Sequence, residues 1–224
     1  MTTKTSQTKH FTILLPTFGV LVFSILYIVS TLLYPGGYQE NKQSKGFSWL
    51  HNYWCNLLDE NAINGAVNSA RPYAMTAMFI LCATLAVFWF LFARRINFSK
   101  SIRRLITFSG IASMTITMFL FTSFHDAVIN VAGGFGLIAL AGTYAGLYKK
   151  RSYPLFVMGL FNLLLIIVNN ILYYSAGLLK YLPVVQKITF LFFLTWICLI
   201  DIFVLKKLHI AKKAEQMPVE ILYK

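Results

Sequence analysis

Six long apolar runs, approximately Phe11 to Tyr34, Tyr73 to Ala93, Leu105 to Thr122, Ala127 to Tyr148, Pro154 to Ser175 and Pro183 to Leu205, leave this chain few ways to fold. Each is near the ~20 residues that a helix needs to cross ~30 Å of hydrocarbon. In lipid only helices and closed barrels satisfy every backbone N–H and C=O, and barrel strands would alternate in polarity rather than run unbroken. The expected fold class is all-α: a polytopic integral membrane protein with six transmembrane helices in one membrane domain. Composition agrees, since 58% hydrophobic and 12% charged residues is far from the roughly quarter-charged mix of soluble chains. The first run follows Lys4, Lys9 and His10 as a signal sequence would. It exceeds the ~7–15 residues of a signal core and lacks a small-residue exit before Tyr34-Pro35-Gly36-Gly37, so it is expected to stay as an anchor.

Orientation follows from the basic residues, because Lys and Arg near span ends are retained in the cytoplasm. One side collects fifteen of them, from Lys4 and Lys9 through Arg94, Arg95, Lys100, Arg103, Arg104, Lys149, Lys150 and Arg151 to Lys206, Lys207, Lys212, Lys213 and Lys224. The other side has five, Lys42, Lys45, Arg71, Lys180 and Lys187. Both termini are therefore expected in the cytoplasm of a multi-pass cell-membrane protein. The net charge of +13 reads as an insertion signal with some attraction to anionic headgroups. Nucleic acid is not an expected partner, since no aromatic-plus-basic module lies outside the runs; membrane lipids are.

The one long connection is Pro35 to Pro72, on the outer side, and long connections are often functional. Within it Phe47, Leu50, Trp54, Leu57 and Leu58 recur at helical spacing. Ser48 could cap such a helix, so Ser48 to Glu60 is expected to lie on the outer surface as an amphipathic helix, with Trp49, Tyr53 and Trp54 at the interface. Its wet face would carry His51, Asn52, Cys55, Asn56, Asp59 and Glu60. His51, Cys55 and Asp59 fall on one helical line, a spacing at which two side chains can grip one metal ion; the alternative is a merely solvated face. No metal site is expected and no cofactor is predicted, although Zn stays open. Cys82 and Cys198 lie inside apolar runs as small hydrophobes, and no disulfide framework is implied.

The second constellation is His125-Asp126, where the fourth run begins, with Asn130 one turn below. An Asp at a helix start also caps free N–H groups and complements the dipole, which alone would explain it. In the fifth run Asn162, Ile166, Asn169 and Tyr173 share a face with Asn170 adjoining, and in the third Ser109, Ser113 and Thr117 repeat every four residues. Such stripes turn inward, for interhelical hydrogen bonds or to line a ligand cavity. Asn130, Asn169 and Tyr173 are the candidate ligand-binding residues. Ala132, Gly133, Gly134, Gly136, Ala139 and Gly142-x-x-x-Gly146 suit close packing, within the chain or across a homo-oligomer. Asp201, near the inner end of the last run, is expected to meet Lys206, Lys207 or a basic residue of a neighbouring helix. A proton-coupled carrier would want a second mid-membrane acid, which the chain lacks.

The six runs, the long first outer loop with Ser48, His51, Asn52 and Asp59, and Asn68 and Arg71 before the second run resemble the prokaryotic six-helix membrane family known as domain of unknown function 998, and more distantly the DRAM-like membrane proteins. Asn56-Leu57-Leu58-Asp59 stands where that family usually has Ser-Asp-Leu-Gly. The resemblance implies a six-helix bundle and no defined activity. Ser123, His125 and Asp126 are also similar to part of the alkaline ceramidase set of one Ser, one Asp and three His. The last run here has no His, so the three-His zinc site of those enzymes is not expected.

Two functions stay open. The favoured one is a membrane protein that binds or organises a lipid or hydrophobic small molecule at the outer leaflet, the outer amphipathic helix acting as a lid over the bundle. The alternative is a membrane-embedded hydrolase acting on lipid, with His51, Asp59, His125 and Asp126 as catalytic residues or metal ligands. The latter would bring His51 or Asp59 beside His125 or Asp126.

Overall fold

The computed structural model describes residues 2–122 and 124–215, with side chains for 14–122 and 124–204. Six helices carry the fold: α1 (Thr2–Leu33), α2 (Arg71–Arg95), α3 (Lys100–Thr117), α4 (His125–Lys149), α5 (Tyr153–Tyr174) and α6 (Leu182–Glu215). The all-α expectation holds. Five segments, Leu14–Leu33, Arg71–Arg95, His125–Lys149, Tyr153–Tyr174 and Ala176–Val204, are long and apolar enough to cross a membrane. α3 is the exception by composition, because Lys100, Arg103 and Arg104 occupy its first turns and it ends at Thr117 rather than Thr122.

Local signals set the helix ends. Pro72 opens α2, where its missing N–H costs nothing, and Arg94 and Arg95 close it against the negative end of the dipole. Ser99 caps α3 by accepting from the Ile102 N–H at 3.4 Å, and Pro154 opens α5.

The helices pack as a ring in chain order, closed where α6 meets α1, and one joint is thin: α4 touches α5 far more sparsely than it touches α3. α2 is the most buried member, with 50% of its span buried against 17% for α5, so α5 presents most of its surface outward. Small residues set the close approaches. A Cβ on Gly142 would lie 2.3 Å from Ile106 of α3, and one on Gly19 would strike Thr84 of α2. Gly133 and Gly134 face nothing within 4 Å, so the fourth-run stripe is used inside the bundle only in part. Across α3 and α4, Ser113 Oγ donates to the Ala132 carbonyl at 2.8 Å. Trp89 Nε1 donates to Thr143 Oγ1 at 3.3 Å, a buried bond between α2 and α4.

Thr17, Arg95 and Asp201 mark the basic end of the bundle. Thr17 Oγ1 donates to Asp201 Oδ2 at 3.0 Å, and the Arg95 guanidinium of α2 attracts the same buried carboxylate. The basic neighbour expected for Asp201 is thus Arg95; the side chains of Lys206 and Lys207 lie outside the described residues.

The opposite, loop end departs from expectation. No α-helix spans Ser48 to Glu60. Instead, strands β1 (Gly36–Tyr38) and β2 (Asn41–Lys45) form an antiparallel hairpin, pairing Gly36 with Lys45 and Tyr38 with Asn41. Turns follow, with a single 3₁₀ turn at Trp54–Leu57. Gly36 and Gly37 take φ values of 141° and 87°, a backbone region that side-chain-bearing residues rarely adopt. The cause of the departure is side-chain competition for the backbone, the usual way Asn and Ser undo helices. Fully buried Asn52 donates to the Gly37 carbonyl at 2.7 Å and accepts from the Ser48 N–H at 2.8 Å. Asn56 Oδ1 accepts from the Tyr53 N–H at 2.8 Å. Buried Asn68 donates to the Asn56 and Asp59 carbonyls at 3.0 and 2.9 Å. The apolar residues that suggested a helix bury by another route: Leu57 and Leu58 enter the core, while Leu50 stays 63% exposed.

The folded loop is fastened to the bundle. Trp54 packs edge-on against Tyr27 of α1 at 4.5 Å between ring centres, and Tyr27 donates to the Trp54 carbonyl at 3.2 Å. Gln186 of α6 accepts from the Trp54 N–H at 3.1 Å. The Lys187 ammonium donates to the Asn52 carbonyl at 2.6 Å and lies 5.5 and 5.7 Å from the Phe47 and Trp54 ring centres. Both are contacts a desolvated cation favours. Ser69 Oγ donates to the Leu33 carbonyl at 2.6 Å, tying the loop's far end to α1.

Candidate functional site

A cavity of about 350 Å³ lies under the loop, between the loop ends of α4, α5 and α6. It sits at the thin joint of the ring. The loop supplies Gln39, Tyr53, Cys55 and Asn56; α4 supplies His125 and Ile129; α5 supplies Asn169, Asn170, Tyr173 and Tyr174; Leu179, Leu182 and Gln186 complete it from the α6 side. Helical period explains the α5 share: residues three and four apart stack on one face.

Two polar ties cross from α5 to α4 beside this cavity. Tyr173 donates to Asp126 Oδ1 at 2.6 Å, and Tyr174 donates to Asn130 Oδ1 at 3.4 Å. Asp126 Oδ1 also lies 3.2 Å from His125 Nδ1. A carboxylate only accepts, so Nδ1 carries the proton and the Nε2 of a neutral ring is an acceptor. That Nε2 is buried without a hydrogen-bond partner among the described residues. The Asn130 side chain donates to the Asp126 carbonyl at 2.9 Å. Asn169 donates to the Leu165 carbonyl at 2.9 Å and to Thr189 Oγ1 of α6.

The candidate residues of the sequence therefore divide. His125, Asn169 and Tyr173 line the cavity, and Asp126 and Asn130 stand one bond behind it through the two tyrosines. His51 is elsewhere, stacked on Tyr38 at 4.5 Å and 2.9 Å from Ser48 Oγ. Asp59 lies outside the cavity lining, exposed at the loop surface. Partial desolvation raises its carboxyl above the usual range, against the Asn56 hydrogen bond and the pull of Arg71. Ser123 and the side chains of His10 and His209 lie outside the described residues.

Burial pushes the Cys55 thiol up to about 11, helped by Asp59 and opposed by hydrogen bonds from its backbone and Gln186. It is held as the thiol, a poor nucleophile and a poor metal ligand. Tyr53 is likewise raised by desolvation, then by Glu40. Among the described residues no three of His, Cys, Asp and Glu gather closely enough to hold a metal ion.

Sequence reasoning missed Gln186, Tyr53, Tyr174 and Gln39 as lining residues. Gln186 carried a usable signal, a polar residue inside the last apolar run beside Lys187. Comparisons with protein-family models, with curated proteins and with solved structures each found no match.

Proposed function

We propose that the chain is a multi-pass membrane protein whose loop end faces outward, with both termini in the cytoplasm. It binds a lipid or hydrophobic small molecule in the cavity beneath the loop. The cavity at the thin α4–α5 joint carries this reading. Its volume lies within the ~300–1,000 Å³ of small-molecule sites, and apolar walls with a few convergent polar groups are the usual lining of such sites. It accommodates a headgroup and a short length of chain. A longer chain would leave between α4 and α5, helices that carry the exposed apolar side chains Ile129, Ile167 and Ile171. The charge bias of the sequence, fifteen basic residues in the segments on one side of the apolar runs against five on the other, supports the orientation.

The test is retention of lipid by the purified full-length chain, read by native mass spectrometry. Ile129→Trp, which fills the cavity wall, should strip a copurifying amphiphile that wild type retains. An identical lipid complement in both proteins would sink the reading.

A hydrolase acting on lipid is the second reading, favoured by the Asp126-oriented imidazole of His125, the arrangement of a general base. It predicts cleavage of a fluorogenic lipid ester that His125→Ala abolishes.

A further inference from the structure

The chemistry of the cavity lining narrows its occupant. None of the described residues that line it is Lys, Arg, Asp or Glu; its polar groups are amides, phenols, one thiol and one imidazole. A phosphate headgroup placed there would lose its hydration without a cation to replace it, which is strongly unfavourable. An uncharged headgroup that donates and accepts hydrogen bonds meets no such penalty. The imidazole of His125 supplies the second, independent argument. Its Nδ1–H is engaged by Asp126, whose other hydrogen bond comes from Tyr173. Its Nε2 is buried and has no partner among the described residues. A buried acceptor in the wall of a cavity calls for a donor from the occupant.

We propose, resting on the binding reading above, that the cavity takes a neutral, hydroxyl-bearing amphiphile of the glycerolipid kind, and that the headgroup hydroxyl donates to His125 Nε2. Tyr173 and Asp126 are positioning residues, fixing the tautomer that leaves Nε2 free to accept. The amides of Asn170 and Gln186 and the phenol of Tyr53 complete a polar surround for the remaining hydroxyls.

The experiment measures binding of three single-chain probes of equal chain length to the full chain in detergent: a 1-O-alkylglycerol, its 2,3-di-O-methyl ether and a lysophosphatidylglycerol. The alkylglycerol should bind about tenfold tighter than the ether, the worth of one good hydrogen bond, and tighter still than the phospholipid. His125→Phe should bring the alkylglycerol to the level of the ether and leave the ether unchanged. The ¹⁵N resonance of His125 Nε2 should shift with the alkylglycerol and not with the ether, a readout that a folding defect in the variant cannot mimic. Equal binding of alkylglycerol and ether, or tightest binding by the phospholipid, would overturn the inference while leaving the binding reading intact. Binding of none of the three, together with no lipid loss in Ile129→Trp, would overturn both.

Discussion

Asn52 is the residue on which the loop between α1 and α2 turns, and its removal should open the loop without unfolding the bundle. Its side chain is fully buried and completes two short hydrogen bonds, to the Gly37 carbonyl at 2.7 Å and from the Ser48 N–H at 2.8 Å, with a longer one to Asn56 Oδ1 at 3.4 Å. Asn52→Ala leaves the buried Gly37 carbonyl and the half-buried Ser48 N–H unpaired, at about 1–3 kcal/mol each. Local opening readmits water and limits the total to about 2–4 kcal/mol, or roughly 30- to several-hundred-fold more opening at 1.4 kcal/mol per tenfold. Amide hydrogen exchange read by mass spectrometry should show that increase across 36–58, with α2 and α3 unchanged. Asn52→Leu separates bonding from volume: it refills the space and cannot donate or accept, so it should exchange as fast as the alanine variant. If the leucine variant is protected like wild type, or the alanine variant exchanges within threefold of it, the loop is not held by these bonds.

Three further outcomes follow from the packing and the loop chemistry. Gly142→Val places a Cβ 2.3 Å from Ile106 and should cost about 1–3 kcal/mol of resistance to denaturing detergent, whereas Gly134→Val, with nothing within 4 Å, should stay within about 0.5 kcal/mol. Cys55, with its thiol near 11, should alkylate about tenfold faster per pH unit from 7 toward 11, where an ordinary thiol levels off near 9. The fold also keeps a proton there that the unfolded chain releases near 9, so stability should fall as pH rises between about 9 and 11. Tyr173→Phe removes the 2.6 Å tie to Asp126 and should widen the spin-label distance distribution between the loop ends of α4 and α5; an unchanged distribution would show that the tie does not hold the joint.

The helices were legible because a long apolar run must satisfy its backbone internally wherever it is buried, and every such run became a helix. α3 shows the limit, since the three cations in its first turns shift it toward Lys100 and shorten its apolar part. The loop was misread for a physical reason. Phe47, Leu50, Trp54, Leu57 and Leu58 have helical spacing, but spacing records only which residues want burial. Asn52, Asn56 and Asn68 decide the backbone path, through bonds to carbonyls and N–H groups as far as 15 residues away. The site was half legible on the same logic. Asn169 and Tyr173 follow from helix periodicity, whereas Gln186 meets the Trp54 N–H 132 residues distant, which no local pattern encodes.

The thin joint between α4 and α5 also bears on how the chain is made. Elsewhere in the ring each helix packs closely on its predecessor, so the first four can assemble one hairpin at a time as they leave the ribosome. The α5–α6 hairpin depends little on α4 and docks chiefly through α6 against α1 and the loop. A gene split at the turn around Arg151 should therefore yield two polypeptides, a four-helix piece and a two-helix piece, that find each other and rebuild the ring.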